Sequence, residues 1–247
     1  DVGSLGVQHG ITHDMVITAD FIYAKGKNLI LLEDANAPIN GVRPNPDPSV
    51  NREITIITEG HSDYKALQVG VNKRFSDRYS LNVAYTLADN KTNAHGSQQF
   101  VTDPYNLDYD FGPSIDDARH TFNAAMLIEA PWGIKVGAST NIISGLPYNI
   151  VTGFDTNNDG QLNDRPANTE FNSGRGDTAW QVNARVSKVF GFGSVRTEFL
   201  VEAFNLFNNT SNGGFVGNLQ SPDFGTPTNL LEGFPPRQVQ LGFRVDF

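Results

Sequence analysis

Cysteine is absent from the 247 residues, so no disulfide framework and no thiolate metal site is available, and the redox compartment is left open. Positive charge is scarce: 18 Lys and Arg against 27 Asp and Glu leave a net charge of −9, which argues against nucleic acid as a partner, since phosphate binding needs basic patches. Long apolar runs are missing too. Nothing approaches the roughly 20 residues of a spanning helix, which excludes a helical membrane protein. A membrane β-barrel stays open, because its strands hide lipid-facing residues at every second position. A charged and apolar leader is also lacking, since residue 1 opens directly into DVGSLGVQHG. The expectation is that a signal was removed or that an N-terminal part precedes this chain.

What is present is alternation. Runs of period two between turn signals predict about nine strands, near 4–12, 14–25, 62–76, 77–90, 118–131, 133–145, 179–191, 194–207 and 237–247. Their connections alternate in length. Thr12-His13-Asp14, Ser76-Asp77-Arg78, Pro131-Trp132-Gly133 and Gly191-Phe192-Gly193-Ser194 are tight, whereas 26–61, 91–117, 146–178 and 208–236 are long and rich in Asn, Asp, Gly and Pro. Loops of that length are uncommon inside compact soluble domains. With every second connection long, the two strand ends meet different surroundings.

The faces differ as well. In the last strand Val239, Leu241, Phe243, Val245 and Phe247 share one side, and Gln238, Gln240, Gly242, Arg244 and Asp246 the other. Val195, Thr197, Phe199, Val201, Ala203 and Phe207 repeat the pattern, as do Leu67, Val69, Val71 and Phe75, then Tyr79, Leu81, Val83, Tyr85 and Leu87. Tyr23, Phe75, Tyr79, Trp132, Trp180, Phe190 and Phe207 fall near strand ends, where interfacial aromatic girdles belong. Asp20, Gln68, Asn72, Arg74, Asn82, Asn123, Lys135, Asn141, Gln181, Asn183, Arg185, Arg196, Glu198, Glu202 and Arg244 are expected on the opposite face, lining a lumen. A soluble sandwich would show the same alternation but not the regular change between short and long connections. The fold expected is therefore all-β, an antiparallel up-and-down transmembrane β-barrel segment with short periplasmic turns and long extracellular loops. About nine strands leave two open edges, which hydrocarbon does not tolerate, so the segment is read as part of a larger barrel.

Several stretches resemble the C-terminal half of the barrel of TonB-dependent outer-membrane receptors, in the Oar-like group that carries an N-terminal carboxypeptidase-regulatory-like domain. They are SDYKALQVGVNKRFS at 62–76, DDARHTFNAAMLIEAPWG at 116–133, SGLPYNIVTGFDTNNDGQLNDRP at 144–166, NSGRG at 172–176, EAFNLFN at 202–208 and PPRQVQLGFRVDF at 235–247. The resemblance implies a Gram-negative outer membrane, a barrel of about 22 strands around a plug, uptake of an extracellular ligand, and energy delivered through an N-terminal TonB box. Plug and N-terminal domains are absent from residues 1–247, so TonB would act only through parts outside this chain. The terminal Phe247 is similar to the signal read by the barrel-assembly machinery, and it also suits a lipid-facing girdle. Two other roles stay open: adhesion through the long acidic loops, and a soluble calcium-dependent β-sandwich binding module.

The sharpest local motif is Asp155-Thr156-Asn157-Asn158-Asp159-Gly160-Gln161-Leu162-Asn163-Asp164. Side-chain oxygens of Asp155, Asn157 and Asp159, the carbonyl of Gln161, and Asn163 or Asp164 follow the spacing of a calcium loop, with Gly160 for the sharp turn. Pro166 stands at the twelfth position, where an EF-hand has its bidentate Glu, and strands flank the motif instead of helices. The competing reading is a hydrated turn whose Asx side chains bond their own backbone. Asp164-Arg165 and the Arg175 region would then brace it by ion pairs and turns. No cofactor is required on this reading, and Ca2+ is the only one suggested. His9, His13, His61, His95 and His120 are scattered without a metalloprotease pair or a nucleophile elbow, so no enzyme is expected. Arg119-His120, after Asp116-Asp117, reads as an anchoring ion pair.

Overall fold

A computed structural model describes residues 1–96 and 100–247. The strands are β1 (Val2–Gly10), β2 (Met15–Asp34), β3 (Ile54–Ser76), β4 (Tyr79–Thr92), the two-residue β5 (Gly112–Pro113), β6 (His120–Ala130) and β7 (Ile134–Ile143). There follow the short β8 (Pro147–Tyr148) and β9 (Gly174–Arg175), then β10 (Ala179–Phe192), β11 (Val195–Phe204), the loop hairpin β12 (Asn212–Phe215) and β13 (Pro227–Leu230), and β14 (Gln238–Asp246). The nine long strands pair antiparallel in the order β1-β2-β3-β4-β6-β7-β10-β11-β14, all one sheet, with β5 added beside β4. They do not form two sheets packed face to face, so the sandwich reading falls.

Register confirms the two faces, because residues paired across antiparallel strands lie on one side. Pairing carries Leu241 to Val201, Val186, Val136, Ile128 and Tyr79, an apolar row across six strands. On the other side Gln240 meets Glu202 and Arg185, Gln181 meets Asn141 and Asn123, Asn82 meets Asn72, and Gln68 meets Asp20. The apolar face is open: Leu241 is 79 % and Phe243 72 % exposed. From Phe190 to Trp180, ten steps along β10 at about 3.3 Å each and a tilt of about 40° give a band roughly 25 Å tall, the height of a bilayer's hydrocarbon layer in such barrels. Among the described residues no helix is long and apolar enough to cross a membrane.

Two expectations need correction. β2 and β3 run on to Asp34 and back from Ile54, so most of the predicted 26–61 loop is strand and the true connection is 35–53. Register shifts between Gly26 and Leu29 and between Leu29 and Leu31 break the period-two phase, which is why alternation lost the strand there. β11 ends at Phe204 and Asn205 turns with φ of 48°, so Phe207 lies beyond the strand and packs on Trp180 with ring centroids 6.0 Å apart. Lys73 lies opposite Leu81 among the apolar positions. Near the tight-turn end it is buried, pairs with Asp14 at 2.9 Å and caps the Tyr79 ring at 3.8 Å, so its charge is compensated locally. Of the predicted 91–117 loop, residues 97–99 lie outside the described residues.

Candidate functional site

Buried side chains concentrate beyond the strands, in the long loops. Ala37, Val101, Phe171 and Phe234 are buried there with Asn36, Asp110, Asp117, Asp159, Asp164, Arg165 and Asn205, and Leu31 and Asp34 are buried at the adjoining end of β2. Buried polar groups of this kind are tolerated only when paired. Arg165 has no exposed side-chain surface; its Nη1 donates to Asp110 Oδ1 at 2.7 Å, and its guanidinium lies 3.9 Å from the Tyr109 ring centroid and 5.0 Å from that of Phe171. Asp110 Oδ2 also accepts from Thr102 N at 2.6 Å. Arg175 holds the buried Asp117 in an ion pair, and Lys91 reaches Glu170 at 2.6 Å. The loop at 146–178 is thereby bolted to the loop at 93–118, with Arg165 and Arg175 pairing across to Asp110 and Asp117.

Further bonds extend the crown. Arg43 joins Asp34 at 2.7 Å and donates to Asp159 O at 2.9 Å, linking the 35–53 loop to residue 159. Burial pushes the Asp34 carboxyl up, but the Arg43 hydrogen bond and the amides of Glu53 and Asn36 outweigh it and hold Asp34 below the usual carboxylate range. Tyr105 OH donates to Ala37 O at 2.9 Å, and Val151 N to Gly217 O at 2.9 Å. Gly174 permits one close approach: a Cβ there would sit 2.6 Å from Tyr148 Cζ. Arg119 is an anchor, but to Asp89 at 2.9 Å and not to its neighbours Asp116 and Asp117. His120 Nδ1 instead shares a hydrogen bond with Tyr85 OH at 2.8 Å.

The 155–164 motif sits within this crown. Asp155 accepts from Asp159 N at 3.1 Å and Gly160 N at 2.9 Å, Asn157 Oδ1 from Asp159 N at 3.0 Å, and Asp159 Oδ1 from Gln161 N at 2.6 Å. Asp164 Oδ2 accepts from Thr156 N at 2.6 Å. Asn158 and Gly160 take φ of 60° and 85°, the left-handed turn conformation that Asn and Gly tolerate. The loop is thus braced by its own Asx bonds. Burial raises the Asp159 carboxyl above its ordinary range, with the charges of Asp155 and Asp164 adding to the effect. Asn163 Oδ1 is buried without a hydrogen-bond partner among the described residues. Among the described residues no group of three or more His, Cys, Asp or Glu is gathered tightly enough to hold a metal by carboxylate, imidazole and thiolate alone.

Sequence reasoning missed a cleft of about 600 Å³ in the crown. It opens among β8, the 115–116 segment, His95, Phe171 and the β12–β13 hairpin. His95 stacks on Phe171 at 4.0 Å and Tyr148 on Phe215 at 5.3 Å. No periodic signal marks it, because its walls come from segments more than a hundred residues apart.

At the opposite, tight-turn end of the polar face, Glu129 pairs with Lys135 at 3.1 Å and Arg244 with Asp246 at 2.9 Å, beside Arg78, Arg196 and Glu198. Charges of both signs here suit a hydrated lumen and not lipid.

Residues 3–170 match the model of a family described as "Outer membrane beta barrel domain". No curated protein is similar in sequence. Solved structures share the fold. The outer membrane transporter YddB from Escherichia coli aligns over 97 % of this chain and 31 % of its own, at 10 % identity and a TM-score of 0.59. The siderophore receptor PiuA from Acinetobacter baumannii aligns over 99 % and 28 %, at 12 % identity and 0.62. BauA, the ferric preacinetobactin receptor from Acinetobacter baumannii, aligns over 99 % and 29 %, at 11 % identity and 0.57. The chain spans less than a third of the length of each.

Proposed function

Because the chain belongs to the outer membrane beta barrel domain family, we propose that it is the C-terminal part of the barrel of an Oar-like TonB-dependent receptor that takes up an extracellular ligand. Its place in the outer membrane makes lipid the partner of the apolar face. The observation that carries the reading is the sheet itself: among the described residues, nine long strands in sequence order, tight turns at one end, an interlocked crown at the other, and unpaired edges at β1 and β14. Open edges are not stable in hydrocarbon, so further strands of the same barrel would pair with them. A plug against the polar face and a TonB box would lie in those other parts. The barrel-assembly machinery would meet β14 through its apolar positions and Phe247. The chemistry is binding and passage, and no bond is made or broken by these residues.

The test is the intact mass of the native gene product extracted by detergent from the outer membrane. A mass far above 27.0 kDa supports the reading. A product of 27.0 kDa, or one released without detergent, refutes it.

Weak calcium binding at 155–164 is a second, independent proposal. It is favoured by the buried Asn163 Oδ1, without a hydrogen-bond partner among the described residues, in the same loop as Asp159, whose carboxyl feels the charges of Asp155 and Asp164. Calcium at about 1 mM, the range of extracellular modules, should slow proteolysis of this loop in the wild type and not in Asp159→Asn. Equal rates with and without calcium would remove the proposal.

A further inference from the structure

The crown cleft has a composition that selects among ligands. It lies on the lumen side: Asp116 lines both the cleft and a smaller recess floored by Tyr64, Thr86, Ala88, Asn90 and Thr121. Thr86 is paired with Gln68 and Thr121, which puts that recess on the polar face. A molecule held in the cleft is therefore already at the outer mouth of the barrel wall.

The lining offers amides of Asn149, Asn172 and Asn229 and the hydroxyl of Thr228, together with the stacked ring pair of Tyr148 and Phe215. Asn149 Oδ1 accepts from Asn172 N at 3.4 Å, Asn172 Nδ2 donates to Pro113 O at 2.8 Å, and Asn229 Oδ1 accepts from Thr228 Oγ1 at 2.9 Å. Asn229 Nδ2 also donates to Leu230 O at 2.9 Å. These bonds fix each amide, and each keeps an unused N–H or lone pair for a ligand, since an amide has two of each. Charge is nearly absent. Among the described residues no Lys or Arg lines the cleft, and Asp116 is its one carboxylate. Burial lowers the proton affinity of His95, which keeps that wall neutral at physiological pH. An anion would meet Asp116 with no lining cation to offset it, since Arg165, behind the Phe171 ring, is already paired with Asp110. A neutral molecule with many hydroxyls and apolar C–H faces fits both the amides and the rings, and the volume is in the range of small-ligand sites.

We infer that this cleft is a binding site for an uncharged, polyhydroxylated ligand, a short neutral saccharide, at the extracellular mouth of the barrel. The inference rests on the uptake-receptor reading above and names its class of ligand.

The test uses the whole native protein purified from the outer membrane in detergent. Calorimetric titration with maltotriose, cellotriose and triacetylchitotriose is compared with ferric citrate as the anionic probe. Binding of at least one trisaccharide is expected, weakened about tenfold or more by Asn149→Ala and by Asn229→Ala, the loss of one hydrogen bond of about 1.4 kcal/mol. Asn123→Ala, in the strand wall below, should leave it unchanged. Asn229 is exposed on a hairpin, so its variant reads the site even if Asn149→Ala misfolds. No binding by any of the three sugars, binding indifferent to both cleft variants, or ferric citrate binding that these variants weaken would overturn the inference. Uptake of the bound sugar by cells with and without a proton gradient separates the two claims: binding without energised uptake retains the cleft and removes the transport reading.

Discussion

Replacing Arg165 by Met should open the crown while leaving the strand wall intact. The side chain is fully buried, its Asp110 partner is 4 % exposed, and it stacks on Tyr109 and Phe171. The variant retains an unbranched apolar stem but leaves the Asp110 carboxylate, among the described residues, with only the Thr102 amide as donor. Breaking a buried ion pair by removing one partner costs about 3–5 kcal/mol, and the lost cation–ring contacts lie within that figure. The loops can open without the sheet, so the cost falls on local opening. An increase in the opening constant of about two to three and a half orders of magnitude follows. Amide hydrogen exchange in the segments around Tyr109 and Arg165, in detergent, measures it directly, with β10 and β11 as internal reference. The double variant Arg165→Met with Asp110→Asn should recover much of the loss, since no bare charge remains. Unchanged exchange in both segments, or an equal rise in β10 and β11, would refute the reasoning.

Three further outcomes follow from the same structure. Lys at Val201 or Val83, near the middle of the apolar band, should cost about 2–4 kcal/mol of barrel stability in denaturant titrations in lipid, and Lys at Asn82 close to nothing; equal costs would invalidate the face assignment. Asp159 has a raised folded-state pKa, so its contribution stabilises the crown at acid pH and is lost as pH rises through that value. Proteolytic nicking at 155–164 should therefore increase from pH 4 toward neutrality in the wild type and flatten in Asp159→Asn. Gly145→Ala places a Cβ on Gly176 O, so its crown should be nicked faster by protease at unchanged sheet content by circular dichroism.

Much of the wall was legible because a strand's pattern is local. Period-two alternation shows which residues share a face, and Leu241, Val201 and Val83 lie where alternation placed them. The same logic failed where its period did: the bulges after Gly26 shift phase, and the 26–34 and 54–61 segments were read as loop. Lys73 broke the apolar pattern, and only the folded turn shows Asp14 compensating it. At 155–164, the turn chemistry was visible in the Asp, Asn and Gly spacing, and the structure adds which amide each carboxylate holds.

Residues 1–247 taken alone were enough for the membrane strands, the two faces, and the division into tight and long connections, since each follows from neighbours a few positions apart. The crown was decided by tertiary structure. Asp110 and Arg165, Asp117 and Arg175, and Arg43 and Asp159 are brought together by loop closure between segments that share no period or spacing. The cleft among them exists only once those segments pack, so its amides and rings carry no signature that a linear reading can find.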